Sequence, residues 1–210
     1  MADYRTLKKH YEKKLKEFGP NARGMDWPNE VDLRKRFKVL SDVIGTQDAY
    51  SLLDLGCGVG LLIDHLKKAG QLSSCTYLGA DISEQMIEYS RELHPGHNFE
   101  VRDILKAPYE TNSFDYVIMN GLLTEKQEMT QHEMVEFAQA ILTEAFGYAK
   151  KGIAFNIMSS HVDWKRDDLF HWELDALVAF LVKSCSRHIR IHMDYGLYEY
   201  TVHVMKEPRE

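Results

Sequence analysis

Few features of specialised chains occur in this sequence. Of its 210 residues only three are cysteine: Cys57, Cys75 and Cys185. An odd count without framework spacing excludes a disulfide scaffold and reads as reduced thiols in a cytoplasmic protein. Five prolines and 13 glycines leave no long low-complexity linker, so collagen-like, disordered and solenoid chains are excluded. No apolar run approaches the roughly 20 residues of a membrane-spanning helix; residues 59–63 are among the longest. The start, Tyr4-Arg5-Thr6-Leu7-Lys8-Lys9, lacks the apolar core of a signal peptide. Neither end carries a lipidation signal.

Basic charge is also short. Lys plus Arg is 26 against 32 for Asp plus Glu, a net charge of −6, whereas a duplex nucleic acid binder needs a basic footprint. The balance is uneven along the chain. Residues 1–50 hold 11 Lys/Arg and 8 Asp/Glu, net +3, and the remaining 160 hold 15 and 24, net −9. The basic start (Lys8, Lys9, Lys13, Lys14, Lys16) reads first as the wet face of an amphipathic helix. A weak attraction for an anionic substrate is the second reading.

What is present is an ordinary globular balance, 44% hydrophobic and 28% charged. The length suits one domain over 1–210, large enough to bury a core without staples. Tyr4, Leu7, Tyr11, Leu15 and Phe18 recur every three or four residues, so 3–18 is expected to be a helix that Gly19-Pro20 stops. Asn29 is a plausible cap for a second helix marked by Leu33, Phe37, Leu40 and Ile44 and ended by Gly45. These 49 residues form a helical cap. From Tyr50 the pattern changes to short apolar strands (51–55, 76–80, 98–102, 114–119, 153–158) alternating with helices (60–69, 84–93, 134–148, 174–185). Such alternation implies a mostly parallel sheet covered on both faces. The last two strands, 189–193 and 198–205, are joined by too few residues for a parallel crossover, so they must be antiparallel.

Leu52-Leu53-Asp54-Leu55-Gly56-Cys57-Gly58-Val59-Gly60 is the most informative stretch. A strand runs into three alternating glycines and a helix follows, the arrangement of a ligand crevice at the carboxyl end of a first parallel strand. Glycine lets the backbone turn tightly and lets a ligand approach it. A dinucleotide fingerprint would want Gly or Ala where Leu61 stands, and no Gly-Lys-Ser/Thr of a phosphate loop follows. A turn that only packs helix on strand is the plainer alternative. Two carboxylates strengthen the ligand reading. Asp81 ends the second strand, where an acid can accept both hydroxyls of a ribose. Asp103 ends the third, where an acid can meet an adenine amino group.

Together with Phe114-Asp115-Tyr116-Val117-Ile118-Met119-Asn120, these residues resemble the class I S-adenosylmethionine-dependent methyltransferases, here a small member of bacterial type. The resemblance implies a Rossmann-like doubly wound α/β fold: a seven-stranded sheet, mostly parallel with an antiparallel last strand, behind the N-terminal cap. It implies S-adenosyl-L-methionine as cofactor. Gly56, Cys57 and Gly58 would cradle its amino acid part and Asp54 would hold the amino group. Asp81 would take the ribose, Ile82 would lie on the adenine, and Asp103 and Ile104 would meet its edge. Asn120, Gly121 and Leu122 would close the methionine end. Nucleic-acid amino methylases of this family carry Asn/Asp-Pro-Pro-aromatic after the fourth strand, where this chain has Asn120-Gly121-Leu122-Leu123.

Methyl transfer is a direct displacement that needs alignment first and a base only if the acceptor must lose a proton. The segment 159–172 begins at the carboxyl end of a strand, on the active-site edge. His161 is the candidate base and Asp163 its orienting acid. Arg166 and Trp164 are candidate acceptor contacts, although Trp164, Phe170 and Trp172 fit core packing better. Tyr11, Arg23, Trp27 and Tyr195 are further acceptor candidates. No metal is expected, since His188 and His192 share no compact ligand face on a strand. The expected function is methylation of a small acceptor at oxygen, such as a sugar. An NAD-dependent oxidoreductase and a non-catalytic partner subunit are the alternatives. The expected partners are the small-molecule acceptor and, in self-association, a second copy as homodimer. Neither nucleic acid nor membrane is expected.

Overall fold

A computed structural model describes residues 4–208. Asp3, the expected start of the first helix, lies outside the described residues. The six helices among them are α1 (Arg5–Phe18), α2 (Glu30–Ser41), α3 (Leu61–Lys68), α4 (Glu84–Leu93), α5 (Gln131–Tyr148) and α6 (Leu174–Ser184). Their ends follow local chemistry. Asn29 Oδ1 accepts the Asp32 N–H at 2.9 Å, Ser83 Oγ the Met86 N–H at 3.4 Å, and Thr130 forms a reciprocal box with Glu133.

The strands are β1 (Tyr50–Leu55), β2 (Cys75–Asp81), β3 (Asn98–Val101), β4 (Phe114–Leu123), β5 (Ala149–Ser159), β6 (His171–Trp172), β7 (His188–His192) and β8 (Glu199–Met205). They join in the order β3-β2-β1-β4-β5-β8-β7, with β6 on β5. β8 runs antiparallel to both β5 and β7, and the other pairings are parallel. The sheet has eight strands rather than the expected seven. The extra one, β6, is two residues long, shorter than any pattern a sequence period can reveal. The order reverses between β1 and β4, which opens the crevice at their carboxyl ends.

Side chains alternate across the sheet. Leu53, Leu55, Val117 and Phe155 pack with α5 and α6 on one face, and Leu7 of α1 joins them. Leu52, Ile118 and Ala154 pack with Leu33, Phe37 and Leu40 of α2 and Leu62 of α3 on the other. β4 extends four residues past the expected Met119. Its pairing with β5 breaks after Met119 and resumes at Leu123 opposite Ile157. Gly121 adopts φ +79° within that irregularity, a conformation open to glycine at little cost. Phe170 and Trp172 are in the core as expected, but Trp164 is 70% exposed.

Candidate active site

The glycine loop leaves β1 with Gly56, Gly58 and Gly60 at φ +73°, +54° and +80°. The N–H groups of Gly56 and Cys57 both donate to the Ala80 carbonyl, at 2.8 and 3.1 Å, which ties the loop to β2. A Cβ on Gly58 would stand 2.6 Å from Met25 Sδ, and one on Gly60 2.9 Å from His94. Beneath the loop, Asp54 is buried and accepts from Tyr77 OH at 2.7 Å. Burial pushes its carboxyl up to about 7 despite that bond. Asp81 accepts the N–H of Gly58 at 3.0 Å and of Ser83 at 2.8 Å. Its carboxyl is also raised by burial.

The cap roofs this crevice. Tyr4 OH donates to Asp103 at 2.8 Å, where Lys106 Nζ also reaches at 2.7 Å. Burial opposes ionisation of Asp103, but these donors hold its carboxyl below the usual range. Tyr11 OH donates to the Gly121 carbonyl at 3.2 Å, and burial, helped by the Glu125 charge, pushes its phenol up. Ser83 Oγ donates to Glu12 at 2.7 Å, so α1 is also fastened to the start of α4. Trp27 lies against Gly121 so closely that a Cβ there would sit 2.5 Å from its ring.

One cavity collects Asp54, Gly56, Cys57, Gly58, Asp81, Ile82, Asp103, Ile104, Asn120, Gly121 and Leu122, together with Tyr11 and Trp27. The remaining candidates stand elsewhere. His161, Asp163, Trp164 and Arg166 are exposed on the segment after β5. The expected orientation of His161 by Asp163 is not formed: His161 Nδ1 lies 3.4 Å from Ser160 Oγ. Arg166 is instead paired with Asp168. Arg23 stacks on Phe18 with its guanidinium carbon 4.3 Å from the ring centre. Tyr195 OH meets Thr201 Oγ1 at 3.0 Å and Glu199 at 3.3 Å. Sequence reasoning missed Tyr4, Leu7 and Lys8, which line the cavity with Tyr11. Their helical spacing of three (Lys8), four (Leu7) and seven (Tyr4) from Tyr11 was the available signal.

Beside Tyr11, His10, Asp26 and Glu125 bring three ligand-type atoms within 4.8 Å of one another. Asp26 already takes His10 Nε2 at 2.6 Å on one oxygen and Lys14 Nζ at 2.8 Å on the other. The cluster therefore reads as an ionic tie between α1 and the loop that follows it.

Comparison with known proteins adds four findings. The family described as a methyltransferase domain matches residues 46–192. A Mycobacterium tuberculosis protein with a methyltransferase name is 29% identical over 169 residues, 78% of this chain and 98% of the relative. A Saccharomyces cerevisiae tRNA (carboxymethyluridine(34)-5-O)-methyltransferase is 26% identical over 111 residues, 52% of this chain and 37% of that protein. Among solved structures, magnesium protoporphyrin IX methyltransferase from Synechocystis PCC 6803 with bound S-adenosylmethionine shares the fold at a TM-score of 0.66. Its identity to this chain is 15%, with 99% of each chain covered.

Proposed function

The chain belongs to the S-adenosylmethionine-dependent methyltransferases, and we propose that it methylates a small molecule at oxygen, beside Tyr11 and Trp27. The oxidoreductase alternative gives way to that membership. The residues present fit the cofactor. Asn120 Oδ1 is buried without a partner at the cavity wall, and Gly56 and Gly58, at φ +73° and +54°, present bare backbone to the same cavity.

When bound, S-adenosylmethionine supplies a methyl group on a sulfonium, open to direct displacement. The chain's own residues hold and align. Asp54 would hold the amino group, Gly56, Cys57 and Gly58 the rest of the amino acid part, and Asp81 the ribose hydroxyls. Ile82 and Ile104 would flank the adenine and Asp103 would meet its edge. Asn120, Gly121 and Leu122 would close the end where the acceptor arrives, beside Tyr11 and Trp27, which line the same cavity. The work of these groups is to exclude water and fix a near-attack geometry.

The observation that carries the small-acceptor reading is the roof. Tyr4 and Tyr11 of α1 and Trp27 behind it lie over the sheet end, hydrogen-bonded or packed at Asp103 and Gly121. A macromolecular acceptor would have to displace them. Transfer of a labelled methyl group to free sugars, nucleotide-linked sugars and hydroxy acids, run beside bulk tRNA, tests it. Transfer to tRNA alone sinks the reading. A hydroxyl acceptor must also lose a proton. His161 takes that role only if the 159–172 segment moves inward, so undiminished turnover in His161→Ala removes it as the base.

A further inference from the structure

The carboxyl end of β4 is held by polar groups from four other elements. Asn156 of β5 is fully buried. Its Oδ1 accepts the Gly121 N–H at 2.7 Å and its Nδ2 donates to Glu199 Oε2 at 3.3 Å. Glu199, at 1% exposure on β8, pairs with Arg36 Nε of α2 at 2.7 Å. The Arg36 guanidinium in turn lies 4.2 Å over the Trp27 ring. On the other side of Gly121, its carbonyl accepts from Tyr11 OH of α1 at 3.2 Å and Thr124 Oγ1 at 2.9 Å.

This is where β4 and β5 lose register, between Met119 and Leu123. An irregular strand leaves a backbone group that the ladder no longer pairs, and a side-chain amide takes the Gly121 N–H instead. Burying an amide, a carboxylate and a guanidinium for this is a costly way to fill space. Apolar residues of similar volume would serve packing as well or better. The polar chain does what apolar packing cannot: it fixes the height and orientation of one peptide.

We propose that Asn156 and Glu199 are positioning residues, which through the Gly121 N–H set the β4 end against which the methionine portion of the cofactor rests. The inference depends on the cofactor reading given above. It predicts a split between two ligands. Adenosine reaches Asp81 and Asp103 but stops short of Gly121, whereas S-adenosylhomocysteine extends to it.

Calorimetric titration of the full chain with both compounds is the test. Asn156→Ala is expected to weaken S-adenosylhomocysteine roughly tenfold, the scale of one buried hydrogen bond, and to leave adenosine unchanged. Equal weakening of both ligands means a merely structural role and overturns the proposal. A charge rescue covers the case in which that variant does not fold. Asn156→Asp sets a second carboxylate beside Glu199 and is expected to bind S-adenosylhomocysteine weakly. Adding Glu199→Gln removes the repulsion, returns a donor to the pair, and is expected to restore binding to within about threefold of the original. A double variant as weak as Asn156→Asp overturns the proposal. Wild-type protein that binds neither compound removes the cofactor reading and this inference together. Wild-type binding with unaltered S-adenosylhomocysteine affinity in Asn156→Ala removes this inference alone.

Discussion

Asp54 and Asp81 are acids that the fold holds under unfavourable conditions. Burial raises the Asp54 carboxyl from 3.8 to about 7. Between those values it is protonated in the folded protein and ionised in the unfolded chain. A group with a raised acid pKa binds more protons when folded, so its contribution to stability falls as pH rises from about 4 to 7, by at most about 1.4 kcal/mol per pH unit. Asp54→Asn is therefore expected to melt higher than wild type at pH 8 and near it only at about pH 4. Equal melting temperatures at pH 8 would count against the buried carboxyl. Binding shows the opposite trend. An ionised Asp54 is the form that holds an ammonium, so S-adenosylhomocysteine affinity should rise as pH passes through 7, and Asp54→Asn should flatten that rise. Asp81 is a separate case. Its two oxygens already accept backbone N–H groups from Gly58 and Ser83. Losing a charged double acceptor costs about 1.5–3 kcal/mol per bond. Asp81→Ala is expected to raise the S-adenosylhomocysteine dissociation constant at least about tenfold, and an unchanged constant by titration would exclude a ribose contact.

At the scale of elements, α1 is expected to set how long the cofactor stays. Leu7 anchors it in the core, but Tyr4, Tyr11 and Glu12 join it to Asp103, Gly121 and Ser83 by single hydrogen bonds. A neutral hydrogen bond contributes about 0.5–1.5 kcal/mol. Tyr11→Phe should thus speed S-adenosylhomocysteine release by roughly two- to tenfold in stopped-flow, with little change in association, and an unchanged rate would show that α1 is no lid. The helix itself was legible, because Tyr4, Leu7, Tyr11, Leu15 and Phe18 mark one face. So were the central strands and the three strand-end features (Gly56 to Gly60, Asp81, Asp103), because a parallel strand buried on both faces is an apolar run that stops abruptly at its ligand edge. The segment after β5 was not. A strand end places His161 on the right edge of the sheet, but no period fixes where a loop side chain points. Asn156 and Glu199 were missed for another reason. Asn156 meets Gly121 across 35 residues of sequence and Glu199 meets Asn156 across 43, and alternation gives a face, never a partner. A polar residue inside the apolar run 153–158 was the one visible sign.

Over the whole molecule, cap and sheet share their cores. Leu7 packs in the cluster that contains Val117 and Phe155, and Leu33, Phe37 and Leu40 of α2 pack with Leu52 and Ile118. The Arg36–Glu199 pair adds a buried ionic link from α2 to β8. Neither part can leave without exposing apolar surface of the other, so we propose that residues 1–210 unfold as one cooperative unit. Ligand binding then acts on the entire chain. A compound that binds only the folded state at a hundred times its dissociation constant stabilises by about 2.7 kcal/mol. For a chain of this size each kcal/mol shifts the melting temperature by about 2–4 °C. S-adenosylhomocysteine at that concentration is therefore expected to raise a single transition by about 5–10 °C, seen equally by tryptophan fluorescence and by far-ultraviolet circular dichroism. NADH is expected to give no shift. The two optical probes separate the ways of being wrong. A melt that does not move with S-adenosylhomocysteine denies it the cavity. A melt that splits into two transitions, with the fluorescence of Trp27, Trp164 and Trp172 and the circular dichroism no longer coincident, shows that cap and sheet are separable units. The small-acceptor reading would then lose its fixed roof, because a cap that opens independently of the sheet also admits a large acceptor.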